Sequence, residues 1–233
     1  MTSGKQYLSF GAGVNSVALY LLLKKKGIKF EAVFVNHETD YPETYEYVDY
    51  LRKEGFEITE VKPNYEGYSS LYEYCKFRKF LPSIYLRWCT YRFKLQPFWQ
   101  YIATPCIVHV GISAEEKHRR TQHRKKGVTC RWLLVEEGIN RRECKSIIRH
   151  SGLKVPRKSG CWLCPFQGKK QLRTLYRDHP RLFNNIVELE KTRGDRHSLK
   201  RQPITHYVAY NNKTLTVFQT TNLKQNKKAS INE

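Results

Sequence analysis

The sequence is poor in acid. Its 233 residues hold 21 Asp and Glu against 42 Lys and Arg, a formal charge of +21. Such an excess of base concentrates anions and suits phosphate-rich partners, so nucleic acid is an expected partner, although charge alone names no substrate. No stretch approaches the roughly 18 apolar residues that a membrane span needs. The opening Met1-Thr2-Ser3-Gly4-Lys5 leads straight into a strand-like run and leaves no room for a signal peptide, so a cytoplasmic protein is expected. Internal repeats are missing, as is a linker long enough to separate two full domains. Seven cysteines, an odd number with no export signal, argue against a disulfide scaffold and for metal binding or redox chemistry. No cysteine follows Cys164, so the chain beyond it offers no thiolate nucleophile. With 40% hydrophobic residues, the chain can bury one substantial core and a small appended lobe.

What is present alternates between two periods. Gln6 to Phe10, Phe30 to Val35 and Phe56 to Val61 read as buried strands, and helical spacing runs over 15–26 and 42–54 between them. Lys24-Lys25-Lys26 before Gly27, and Pro42 at the second helix start, fit helix ends. The order strand–helix–strand–helix–strand predicts right-handed crossovers and an α/β, Rossmann-like, mainly parallel sheet with flanking helices. Further along, 65–85 reads as helix in pieces and 90–101 as helix. Cys106 to Val110 reads as a strand, Arg131 to Val135 as another, and 141–150, 169–177 and 180–191 as helices. Ile204–Tyr210 and Thr214–Gln219 suggest a hairpin around Asn211. The expected division is an α/β nucleotide-binding domain over 1–135, a small cysteine-containing C-terminal region over 136–222, and a frayed tail over 223–233.

Three loops at strand ends could carry chemistry. Ser9-Phe10-Gly11-Ala12-Gly13-Val14-Asn15-Ser16 brings small residues to a helix start, where backbone N–H groups and the helix dipole favour an anion. It lacks the Gly-Lys-Ser/Thr ending of a Walker A loop, and alone it equally suits a plain glycine turn. Asn36-His37-Glu38-Thr39-Asp40-Tyr41-Pro42 lies past the second strand, where open parallel sheets bind ligands; alone it could simply start the next helix. Gly111 to Arg120, with Glu115, Glu116, Arg119 and Arg120, could hold phosphate or sulfate, or be a solvated charge run.

Together with Trp88-Cys89-Thr90 and the following Lys94 and Pro97, these loops stand in an order that resembles phosphoadenosine-phosphosulfate-reductase-like proteins. These form a branch of the PP-loop (adenine nucleotide alpha hydrolase-like) superfamily. The resemblance spans about residues 5 to 170. It implies that Ser9, Phe10, Gly11, Ala12, Gly13, Asn15 and Ser16 hold phosphates. Asn36, His37, Glu38, Thr39 and Gly111 would then face the adenine nucleotide, and Arg119 and Arg120 its anionic end, with Lys94 as a further electrostatic stabiliser. The glycine loop is longer than the usual pattern, Asn15 stands where Asp is common, and Ser113 replaces a frequent Arg.

Cys161-Trp162-Leu163-Cys164-Pro165 is a C-x-x-C pair, half of a metal site. By the resemblance to cluster-containing relatives Cys89 is the third ligand of a [4Fe–4S] cluster, and Cys144, on a helix just before the C-x-x-C loop, is the expected fourth, with zinc on the same thiolates as the runner-up. Since sulfonucleotide reductases use a cysteine near the C-terminus, the leading expectation is a different activity. It is ATP-pyrophosphatase-type adenylation with Mg²⁺, a transferase modifying a nucleic acid by sulfur insertion. The alternatives are a sulfonucleotide reductase or sulfotransferase, with Cys75 or Cys130 as attacking thiol, and a non-catalytic nucleotide- and nucleic-acid-binding protein with a structural metal.

Overall fold

The structure is a computed structural model that describes residues 4–121, 125–192, 199–200 and 202–208. Strands β1 (Lys5–Ser9), β2 (Glu31–Val35), β3 (Ile58–Val61), β4 (Cys106–Val110) and β5 (Val128–Arg131) form one sheet in the order β3-β2-β1-β4-β5. Every pairing is parallel, with Ser9 opposite Val33 on one side and Val110 on the other. Parallel neighbours need long crossovers, and the alternation of strands with helices supplies them. The α/β expectation therefore holds.

Helices α1 (Val14–Lys25) and α2 (Pro42–Lys53) follow β1 and β2. After α3 (Leu71–Arg78), the short α4 (Trp88–Thr90), a π-helical turn (Tyr91–Leu95) and α5 (Gln96–Tyr101) lead into β4. A 3₁₀ turn (Ala114–Arg119) follows β4, and α6 (Leu133–Glu136) and α7 (Arg141–His150) follow β5. Successive side chains on a strand face opposite ways. Leu8, Ala32 and Phe34 thus join the apolar faces of α1, α2 and α7 in one core layer. Tyr7, Val33 and Val108 meet Phe98 of α5, and Ile102 just after it, in the other. Burial on both faces is why the strands read as apolar runs and not as alternating ones.

Two compact units result, one from the chain up to Tyr74 with Arg87–Trp162, the other from Cys75–Leu86 with the chain from Leu163 onward. The first holds the sheet. The second contains α8 (Lys169–Asp178), α9 (Pro180–Lys191) and α10 (Ile204–Val208), whose Leu172, Leu175, Phe183, Ile186, Leu189 and Ile204 are buried. The cysteines do not gather in one C-terminal lobe: Cys75 and Cys164 fall in the second unit, whereas Cys144 lies in the core of the sheet unit and Cys161 falls in that unit as well.

Two expected strands are helical. The run 131–135 splits after Arg131, and Leu133 and Leu134 turn into the first core layer on α6. Glu136 fixes that turn by accepting from the Trp132 N–H at 3.2 Å. A short apolar run carries no period that separates strand from helix. Ile204–Val208 is helical because the buried carboxyl of Glu190 accepts from the Ile204 N–H at 2.9 Å and starts α10. Residues 214–219 and the tail 223–233 lie outside the described residues.

Candidate functional site

The chain runs outward from β1 through β2 to β3, then returns on the other side of β1 with β4. The carboxyl ends of β1 and β4 therefore flank the crevice where open parallel sheets bind ligands. Gly111, just past β4, lies directly on the first turn of α1. A Cβ there would come within 3.0 Å of the Ser16 nitrogen and 3.1 Å of its Cα. Gly13 closes the start of α1, donating its N–H to Ser16 Oγ at 3.1 Å while that hydroxyl donates to the Gly13 carbonyl at 3.0 Å. Ala12 takes φ 50°, a left-handed value that L-residues avoid, and such strain gathers at functional loops. The ring of Phe10 is core, edge-on to Tyr20, and its N–H extends the sheet to the Val33 carbonyl. Ser9 ends β1, half-buried, and nothing lies within 4 Å of a Cβ placed on Gly11.

Asn15, on the first turn of α1 and 8% exposed, organises one end of the site. Its amide nitrogen donates to Ser113 Oγ at 3.2 Å and to Glu116 Oε2 at 3.1 Å. Its carbonyl accepts from Arg141 Nη1 at 3.3 Å. Arg119 is brought near but pairs with Glu116. Arg120 lies apart, its Nε on the Lys117 carbonyl at 3.0 Å and its guanidinium 6.0 Å from the centre of the Trp132 ring.

The loop after β2 forms the other end. His37 and Thr39 are fully buried and bonded to each other at 2.7 Å. Asn36 is engaged at both ends of its amide, with Glu60 at 2.8 Å and the Glu38 N–H at 3.0 Å, and Glu38 takes φ 61°. Asp40, 8% exposed, is 3.4 Å from both Lys94 Nζ and His37 Nε2. Burial works against its charge, yet Lys94 and then His37 hold its pKa well below the usual carboxylate range. Burial first, then Lys94, lowers the pKa of His37. The π turn carrying Lys94 is a type of irregularity often found at functional positions.

A later segment crosses both loops. Ser159 stands over Gly13, where an added Cβ would meet its Oγ at 2.6 Å. The Tyr41 N–H donates to the Gly160 carbonyl at 3.0 Å and the Trp162 N–H to the Thr39 carbonyl at 2.9 Å. The thiol of Cys161 donates to Thr39 Oγ1 at 3.2 Å. Sequence reading missed Ser159 and Arg141. The Asn140-x-x-Glu143 capping box does mark residue 141 as a helix start, but not its distant partner.

The cysteines do not form the expected cluster or zinc site. Among the described residues no group of three or more Cys, His, Asp or Glu could hold a metal ion. Cys144 faces the core between α7 and α1, where burial above all pushes its thiol up to about 12, far from the thiolate a metal needs. Cys161 is tied to the β2 loop, and Cys164 falls in the second unit. None of the seven is in a disulfide. Cys75 and Cys130, the alternative nucleophiles, are buried at 0% and 4% exposure.

A doubly covered parallel sheet with its loops gathered at the switch between β1 and β4 defines a Rossmann-like nucleotide-binding protein. The chain belongs to the phosphoadenosine phosphosulfate reductase domain family, whose family model matches residues 5–127, within the PP-loop, adenine nucleotide alpha hydrolase-like superfamily. No curated protein matches it. Among solved structures it resembles the phosphoadenylyl-sulfate (PAPS) reductase from Candida auris in its phosphate complex. That likeness has TM-score 0.52 and 14% identity, covers 69% of this chain and 83% of the other, and establishes the fold. The expected ATP-dependent adenylating enzyme with an iron–sulfur cluster is overturned by the family match and by the cysteine placement. No helix among the described residues is long and apolar enough to cross a membrane.

Proposed function

We propose that this chain binds an adenosine sulfonucleotide across the carboxyl ends of β1 and β4 and promotes reductive release of its sulfuryl group. The observation that carries the reading is the packing of Gly111 on the first turn of α1, within a chain that belongs to this family. It sets helix N–H groups and the Asn15 cluster beside the glycine loop, an arrangement suited to phosphate. In this reading Ser9, Gly11, Gly13 and Ser16 receive the phosphate chain, and the 36–40 loop flanks the nucleoside. Lys94 stabilises negative charge as it develops.

In this reading the attacking thiolate comes from an external dithiol donor, Cys75 and Cys130 being buried. Its sulfur attacks the sulfuryl sulfur and forms an S–S bond. The S–O bond to the nucleotide breaks with its electron pair on the phosphate oxygen. The donor's second thiolate attacks the first sulfur and expels sulfite, leaving the donor as a disulfide. The excess of base raises the local concentration of such an anion, and a nucleic acid is the wider form of the same attraction.

The test supplies phosphoadenylyl sulfate or adenylyl sulfate with dithiothreitol and measures sulfite. Sulfite well above the chain-free rate supports the proposal. Binding of adenosine 3′,5′-bisphosphate without any sulfite removes the reductase and leaves a nucleotide-binding module. Absence of both removes the site.

A further inference from the structure

Two arginines, Arg119 and Arg141, stand at the Asn15 end of the site, Arg120 lies apart from it, and the surroundings of the three differ. Arg119 is neutralised by Glu116, and Arg120 is spent on the Lys117 carbonyl and the Trp132 face. Arg141 makes no ion pair among the described residues. Its guanidinium touches only the neutral carbonyl oxygen of Asn15, at 3.3 Å, and the side chain is otherwise exposed. We propose that Arg141 is the residue that grips an anionic group, phosphate or sulfate, of the bound nucleotide. This deepens the sulfonucleotide reading and rests on it.

The placement is rigid. Asn140 caps α7 by accepting from Arg142 and Glu143 at 2.8 and 3.0 Å, and Glu143 returns a bond to the Asn140 N–H at 2.7 Å. The carboxylate of Glu115, on the turn after β4, accepts from the Arg141 N–H at 2.9 and 3.2 Å. Backbone capping thus fixes the Cα of residue 141 beside the β4 loop, and a single bond to buried Asn15 aims the guanidinium at the start of α1. An arginine fork offers five donors, and one bond to an amide leaves the others for a planar or tetrahedral oxyanion. The opposite side of Asn15 is occupied by Ser113 and Glu116, whereas the carboxylate near Arg141, that of Glu115, is held by the Arg141 backbone N–H and not by its guanidinium. Residue 141 also lies beyond the 5–127 match to the family, so the assignment comes from this chain's own geometry.

The experiment is calorimetric binding of adenosine 3′,5′-bisphosphate and of adenosine to the whole chain and to Arg141→Met, Arg141→Lys and Arg119→Met. Loss of one charge-assisted contact predicts that Arg141→Met weakens the bisphosphate about 10–100-fold. Adenosine should bind unchanged, and Arg141→Lys should recover part of the loss. Arg119→Met should stay within about twofold, since its charge is already paired. The melting temperature of Arg141→Met should not move, because the Glu115 contact is to backbone; a merely structural role would move it and would weaken both ligands alike. Bisphosphate binding by the parent chain with no change in Arg141→Met overturns this inference and leaves the broader reading intact. No binding by the parent chain overturns the broader reading.

Discussion

The two ends of the candidate site treat charge in opposite ways. At the β2 end, Asp40 is buried and its lysine and histidine partners are already in place. At the α1 end, a buried neutral amide carries an exposed arginine that no carboxylate pairs among the described residues. The first end has its electrostatic partners inside the protein, so its charges hold the fold, and the role proposed for Lys94 in the reaction is shared with its hold on Asp40. The second has charge to spare, so it is the end suited to an incoming anion. Clusters of ionisable residues in a cleft are not equivalent, and the sign left over after internal pairing separates binding from scaffolding.

The largest expected loss breaks the β2 end. Lys94→Met leaves Asp40 buried with His37 as its remaining partner. Removal of one partner from a buried pair costs about 3–5 kcal/mol, and Lys94 is 40% exposed, so about 2–3 kcal/mol is expected after solvent screening. Urea unfolding at pH 7 measures it. Asp40 has a depressed folded pKa, so its contribution is complete above the unfolded value near 3.8 and is lost as pH falls through the folded one. The difference between parent and variant should therefore shrink in strong acid. A constant difference down to acid unfolding would show that Lys94 acts by packing and not by charge.

Gly111→Ala comes next. The added Cβ would meet backbone atoms of Asn15 and Ser16 at 3.0–3.2 Å, and backbone cannot rotate aside. Overpacking of this kind costs roughly 1–3 kcal/mol and should weaken nucleotide binding as well, because the first turn of α1 must shift. Thermal unfolding and bisphosphate binding read the two effects. Full stability in the alanine variant would mean that β4 and α1 are not tightly joined.

The sheet, its flanking helices and the glycine loop were legible because they depend on local signals: period, caps, and small residues after strands. Gly111 was legible as a strand-end glycine. Its contact with Ser16 was not, since nothing local to either residue specifies the other. Arg141 went unrecognised for the same reason, whereas Arg119 and Arg120 drew notice by adjacency alone, and the fold pairs one with Glu116 and lays the other over Trp132. The cysteines misled because spacing reports only which thiols could meet. Cys144 sits on an apolar helix face, at 0% exposure, and packing places it with the core.

Glu190 sharpens the comparison from outside the site, being a buried carboxyl with no paired cation among the described residues. It is 7% exposed, one oxygen accepts from the Ile204 N–H and the other has no partner. Burial raises its pKa to about 7, the reverse of Asp40. A raised folded pKa gives stability that is complete below the unfolded value, near 4.5, and lost as pH rises through about 7. Glu190→Gln keeps an acceptor for Ile204 and removes the ionisation. It should match the parent in acid and exceed it by about 3 kcal/mol at pH 8. Unfolding free energies across that range give the answer, and a variant weaker than the parent at pH 8 would mean that the ionised carboxylate is stabilised in the fold.

The smallest expected effect separates Gly13 from Gly111. An added Cβ at residue 13 would meet only the Ser159 hydroxyl, at 2.6 Å, with the Ser159 Cβ at an ordinary 3.8 Å. A hydroxyl turns about one bond, and Gly13 has φ −93°, open to any residue, so the steric cost is slight. Alanine at a helix N-cap is poorer than glycine by some tenths of a kcal/mol, and Gly13→Ala should lose roughly that and a little more. The extra part belongs to Ser159. In a Ser159→Ala background the loss should fall back to the capping cost, a coupling of about 0.5 kcal/mol at most. A double-mutant cycle on thermal stability measures that coupling. Zero coupling would place the 157–162 segment away from the glycine loop, and coupling well above 1 kcal/mol would mean that the hydroxyl cannot turn and is held by something more than Gly13.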